Sequence, residues 1–74
     1  MTEVTIQTVT EAKGTLIFRY INKNYPKHVG KQCRQNGKVK LWKTRPTEFK
    51  IPVKYGLYEY FYITQDNAHE WEIV

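Results

Sequence analysis

Apolar and polar residues alternate in short runs along this chain, and no window holds a 3.6-residue repeat for ten or more residues. The residue types agree with the pattern: Thr, Val, Ile, Tyr, Phe and Trp dominate the runs, and these fit a pleated, half-buried surface. Val4, Ile6 and Val9 outline a first strand, with a slip of phase after Thr8 that a bulge would absorb. Glu11-Ala12-Lys13-Gly14 reads as a turn. Thr15 to Ile21 is apolar on both faces, which predicts a central strand. Residues 22–30 carry Asn22, Asn24, Pro26 and Gly30, the residues of a loop.

The clearest local signal is Asn36-Gly37, flanked by residues 31–35 and 38–43. Asn-Gly is the preferred pair for a two-residue hairpin, because both central positions take positive φ. It predicts that residues near Cys33 pair with residues near Val39. Arg45-Pro46-Thr47 then reads as a break. In residues 48–54, Phe49, Ile51 and Val53 share one face, and Pro52 demands an edge or a bulge because it has no N–H to give a ladder. Residues 57–63 place Tyr58, Tyr60 and Tyr62 on one side. Residues 64–70 suit a single helical turn capped by Thr64 or Asp66, and Trp71 to Val74 a closing strand.

These elements predict one all-β domain over residues 1–74. It is a small SH3-like or related barrel of five to seven short strands, with at most one short helical turn near the C-terminus. An OB-type barrel and a small sandwich compete with it, although no room is visible for the helix an OB fold usually carries. Leu16, Phe18, Leu41, Phe49, Ile51, Phe61 and Ile63 are the expected core. At 74 residues that core is thin, and a single cysteine, Cys33, excludes an internal disulfide. Cys33, His28 and His69 have no metal-ligand spacing, so neither metal nor other cofactor is expected. Low cysteine use fits a reducing compartment and hence a cytoplasmic location. Residues 1–12 lack the basic and apolar regions of a secretory leader, and no segment is apolar for the roughly 20 residues a membrane crossing needs.

Charge changes the picture more than composition does. The net charge is +5, yet all twelve Lys and Arg residues lie between Lys13 and Lys54, a span with one acid, Glu48. A basic middle between acidic ends suggests a polyanionic partner. If Val39, Leu41, Phe49, Ile51, Val53, Leu57, Phe61 and Ile63 point inward, then Lys38, Lys40, Trp42, Lys50, Lys54, Tyr58, Tyr60 and Tyr62 point outward. Ammonium groups answer phosphates and flat rings stack on unpaired bases. Arg34, Lys43 and Arg45, near the turns, extend the same patch. The competing reading makes the tyrosines core and the lysines solvated sheet face. The inward assignment also turns Glu59 inward, which requires a place at the barrel rim or pairing with Arg34 or Lys43.

No catalytic constellation is present. The carboxylates are scattered, the glycines isolated, and Cys33 reads as a small buried thiol. The expectation is a non-enzymatic, basic nucleic-acid-binding module, for RNA or DNA with weak sequence preference. No small-molecule substrate is evident. An adaptor or inhibitor that binds an acidic or extended protein segment, and a structural subunit of an assembly, are the alternatives.

Overall fold

The computed structural model describes residues 2–74. Seven strands form one sheet, curled into a half-barrel: β1 (Thr2–Glu3), β2 (Ile17–Tyr20), β3 (Gln32–Gln35), β4 (Lys40–Trp42), β5 (Arg45–Tyr55), β6 (Glu59–Thr64) and β7 (Trp71–Ile73). Every pairing is antiparallel. β2 is central, between β3 and β7, as its two apolar faces predict. A single 3-10 turn at Ala68–Glu70 leads into β7. The all-β reading holds.

The chain departs from the expected elements in three places. The first expected strand is instead a short helix, α1 (Ile6–Glu11). The phase slip was its signature, because Ile6 and Val9 are three residues apart, the spacing of one helical face. Thr5 and Thr8 start the helix reciprocally: Thr8 N–H donates to Thr5 Oγ1 at 3.1 Å, and Thr5 N–H donates to Thr8 Oγ1 at 2.9 Å. This is a capping box with threonine in place of the usual Glu or Gln, and Val9 joins the buried cluster.

The Asn36-Gly37 hairpin does not form. Gln35 faces Val53 and Lys40 faces Lys50, so four residues on one strand oppose two on the other. β3 and β4 are thus one strand interrupted by a bulge, running along a single edge of β5. The hairpin turn lies at Lys43-Thr44, since Trp42 pairs with Arg45. Pro52 explains why the chain bulges here. Its carbonyl accepts from Asn36 N–H at 2.8 Å, so its missing donor falls on the same side, where the bulge leaves the ladder. Gly37 takes φ 129° there, and a Cβ on it would lie 3.1 Å from Pro52 Cγ. Only glycine suits both demands. The expected break at Arg45-Pro46-Thr47 is absent for the same reason of pairing: these residues begin β5.

The core lies on the concave face. Phe18, Ile51, Val53 and Ile63 are essentially inaccessible, and Val4, Val9, Leu16, Cys33, Phe49 and Ala68 complete the cluster. Burying a side chain of the Phe or Ile class stabilises by about 1.5–3 kcal/mol. Two expected core residues differ. Leu41 is 51% exposed, because β4 pairs with β5 alone and no strand flanks its other side. Phe61 is half-buried at the open end of the concave face, beside Trp71. Among the described residues, no helix is long and apolar enough to cross a membrane.

Candidate nucleic-acid interface

Antiparallel pairing puts directly opposite residues on the same face of a sheet. On β5, Phe49, Ile51 and Val53 point into the core, so Lys50, Pro52 and Lys54 point outward. The register extends each outward residue into a row. Arg34, Lys54 and Tyr60 form one row, and Lys40, Lys50 and Thr64 another, with Pro52 and Tyr62 between them. Four residues along a strand separate Lys50 from Lys54 by about 13 Å.

The tyrosines belong to this outer surface: Tyr60 is 61% exposed and Tyr62 44%. Their rings are already engaged. The Lys50 ammonium stands 4.1 Å from the Tyr62 ring centroid, Lys40 lies 5.8 Å from the same ring, and Lys54 is 5.6 Å from Tyr60. The negative ring faces attract and orient these ammonium groups. Tyr60 and Tyr62 thus each stand against at least one lysine ammonium group on this face.

Arg34↔Lys54 and Lys40↔Lys50 are like charges directly opposite each other. Such pairs are destabilising in a sheet. No acidic residue occurs in residues 34–42, 50–54 or 60–64 to offset them. Elsewhere the same face is neutralised: Arg19 on β2 meets Glu72 on β7 at 2.6 Å, a neighbouring pair in the β2–β7 ladder.

The remaining expected site residues are more dispersed. Lys38 is exposed in the bulge. Trp42, 39% exposed, lies two residues beyond Lys40 at the end of β4. Lys43 occupies the following turn, and Arg45 pairs with Glu48 at 3.2 Å. Tyr58 is 87% exposed in the turn between β5 and β6, off the strand face. Glu59 lies at the rim, as one expectation held, and pairs with neither Arg34 nor Lys43.

Sequence reasoning missed a second feature, on the concave face. Where β5 runs past its buried positions to Tyr55, a cavity of about 350 Å³ opens, lined by Tyr20, Tyr55, Phe61 and Trp71. His28, Lys31 and Glu59 complete its wall. The aromatic residues share the inward parity of their strands, which was legible. The pairing of β7 with β2, which brings Trp71 opposite Tyr20, was not. Tyr20 is fixed by donating to Glu70 Oε1 at 2.7 Å. That bond, with desolvation and the carboxylate charge, pushes its hydroxyl from 10.0 up to about 12. Bonds from Tyr20 and then Asn22 hold the Glu70 carboxyl below its ordinary range. Cys33 is buried, and desolvation pushes its thiol up to about 12, which suppresses the reactive thiolate.

No family model matches this chain, and comparisons with curated proteins and with solved structures find no match.

Proposed function

We propose that the outer face of β3–β6 binds single-stranded nucleic acid through its phosphates, with weak sequence preference. The observation that carries this reading is the pair of cation–cation contacts, Arg34↔Lys54 and Lys40↔Lys50, on a stretch of sheet without a carboxylate. A fold under selection for stability alone has no reason to place like charges opposite each other twice. A phosphate chain lying across the rows turns both repulsions into attractions. The rings of Tyr60 and Tyr62 restrain three of the ammonium groups beforehand, which lowers the entropy lost on binding. Lysine contacts to phosphate give affinity without reading bases. Trp42, exposed at the end of β4, is the ring placed to stack on a base. The buried, lone Cys33 fits action in a reducing compartment such as the cytoplasm.

Fluorescence anisotropy with labelled oligonucleotides over a range of salt concentrations tests this. Four phosphate contacts on a single strand predict a slope of about −2.8 in log affinity against log salt, at about −0.7 per contact. Replacing Lys38 and Lys40 by Ala flattens the slope by about two contacts for every sequence alike. Trp42→Ala leaves the slope unchanged and removes about 1–3 kcal/mol from single-strand binding. Absence of binding at low salt rejects the reading and leaves an acidic protein segment as the partner of this face.

A further inference from the structure

The concave cavity is separate from the lysine face, and its lining has a chemistry of its own. Tyr20 and Trp71 meet edge to face with centroids 4.9 Å apart, and Phe61 lies 5.5 Å from Trp71. With Tyr55 they give an aromatic enclosure whose volume lies within the range of small-ligand sites. Two charged groups of opposite sign line it. Glu59 lies directly across from Tyr55 in the β5–β6 ladder, and the Lys31 ammonium stands 5.9 Å over the Tyr55 ring. His28 and Lys31, from the loop between β2 and β3, line one wall, and in that loop Tyr25 and His28 approach Tyr20 at 6.5 and 6.3 Å. Lys23, Lys27 and Lys31 flank those two rings in sequence.

An aromatic cavity with a carboxylate invites two classes of ligand. An organic cation would use the ring faces and Glu59, but it would meet Lys31, which already stands over one ring, and a lysine-bearing loop. A flat, uncharged heterocycle that carries a phosphate uses every group present. Its ring packs among the aromatic side chains, its phosphate faces the loop, and its edge reaches Lys31 and Glu59. An ionised carboxylate only accepts hydrogen bonds, and an ammonium only donates. Guanine alone among the common bases offers two adjacent N–H donors beside an acceptor oxygen on its pairing edge. It can therefore give both donors to Glu59 while its oxygen accepts from Lys31.

We infer that this cavity takes up an unpaired guanine nucleotide, with Glu59 and Lys31 reading the base edge between the rings of Tyr20, Tyr55, Phe61 and Trp71. The inference rests on the reading of the partner as nucleic acid, and gives it a guanine preference that the lysine face alone would lack.

The test uses the indole N–H signals of the full chain in two-dimensional NMR, which report Trp71 and Trp42 separately. Guanosine, adenosine, cytidine and uridine monophosphates are titrated in turn, then tetramethylammonium chloride. The expected result is that guanosine monophosphate moves the Trp71 signal and binds roughly tenfold or more tightly than the others, while Trp42 stays in place. Glu59→Gln, at the rim, removes that preference, consistent with loss of charge-assisted hydrogen bonds. The same spectra show whether the variant is folded. Equal effects from all four nucleotides overturn the inference, as does an unmoved Trp71. A Trp71 shift with tetramethylammonium and none with guanosine monophosphate assigns the cavity to organic cations and also overturns it. Oligothymidine binding measured alongside separates the two proposals. If oligothymidine binds and guanosine monophosphate does not, the cavity assignment falls and the lysine face stands. If guanosine monophosphate binds and oligothymidine does not, the lysine face falls.

Discussion

The two faces of β5 are built from the same eleven residues and obey opposite rules. Inward, Phe49, Ile51 and Val53 are buried and touch other apolar groups. Outward, Lys50 and Lys54 confront Lys40 and Arg34 across the ladder. Three inward positions serve the core, while the outward cations repel one another across the ladder. Each like-charge pair costs about 0.2–1 kcal/mol. Each of the three ammonium groups held over a tyrosine returns about 0.5–1 kcal/mol at exposed sites, which offsets the two repulsions, so the cation pairs are tolerated although no carboxylate neutralises them. In a domain whose whole stability is of order 5–15 kcal/mol or less, such an arrangement points to a use outside folding.

Breaking the inner face has the largest expected effect. Phe18→Ala, at a fully buried site, should lower the urea-derived unfolding free energy by about 3–5 kcal/mol. Leu41→Ala, at a half-exposed position of β4, should change it by about 0.5 kcal/mol or less. A large loss at Leu41 would mean that β4 is covered by something beyond its pairing with β5.

The alkaline limb of stability sharpens the contrast, because it reports the hydrogen bond from Tyr20 to Glu70 and the burial of Cys33 on the inner face. Cys33 and Tyr20 both have values raised in the folded state, from 9.0 and 10.0 to about 12. The unfolded chain therefore releases these protons first. Their contribution is complete below pH 9, declines as pH rises and is lost by about pH 12. Denaturation midpoints measured from pH 8 to 11 should fall, and the double variant Cys33→Ala, Tyr20→Phe should show a shallower fall.

Gly37→Ala probes the bulge that joins the two halves of the lysine-bearing strand. Alanine at φ 129° is strained, and its Cβ would press on Pro52 at 3.1 Å. The expected loss is about 1–2 kcal/mol, read by the same denaturation curves. A neutral result would mean that the bulge relaxes readily.

Much of this fold was legible in the chain, and the failures share a cause. Alternation along residues 48–54 and 57–63 gave the correct parity for β5 and β6, since one buried face fixes register. Asn36-Gly37 misled because a turn signal reports local backbone freedom without saying which strand comes next. The same freedom serves a bulge when Pro52 stands opposite. Residues 6–11 misled because so short a helix offers only one apolar repeat, Ile6 to Val9, against the strand-like run of Thr and Val. The outer charge surface was visible as a set of residues. Its defining feature, lysine opposite lysine and arginine opposite lysine, required the register of three strands. The aromatic cavity required the return of β7 to β2 across fifty residues of chain, from Tyr20 to Trp71.

A small expected energy decides the most. Lys40→Glu reverses one charge in the Lys40↔Lys50 pair, removes the 5.8 Å contact of Lys40 with the Tyr62 ring and leaves Lys50 in contact with that ring. Unfolding free energy and affinity for a labelled single-stranded oligonucleotide, measured on the same samples at low and at physiological salt, place the two faces in direct opposition. The account predicts a variant no less stable than the parent at low salt, with a gain of up to about 1 kcal/mol from the reversed charge that shrinks as salt screens the charges. The same variant binds the oligonucleotide more weakly and with a flatter salt slope. A variant that is less stable, or that binds as tightly as the parent with the same slope, would contradict the claim that the opposed cations of this sheet are there to hold a polyanion.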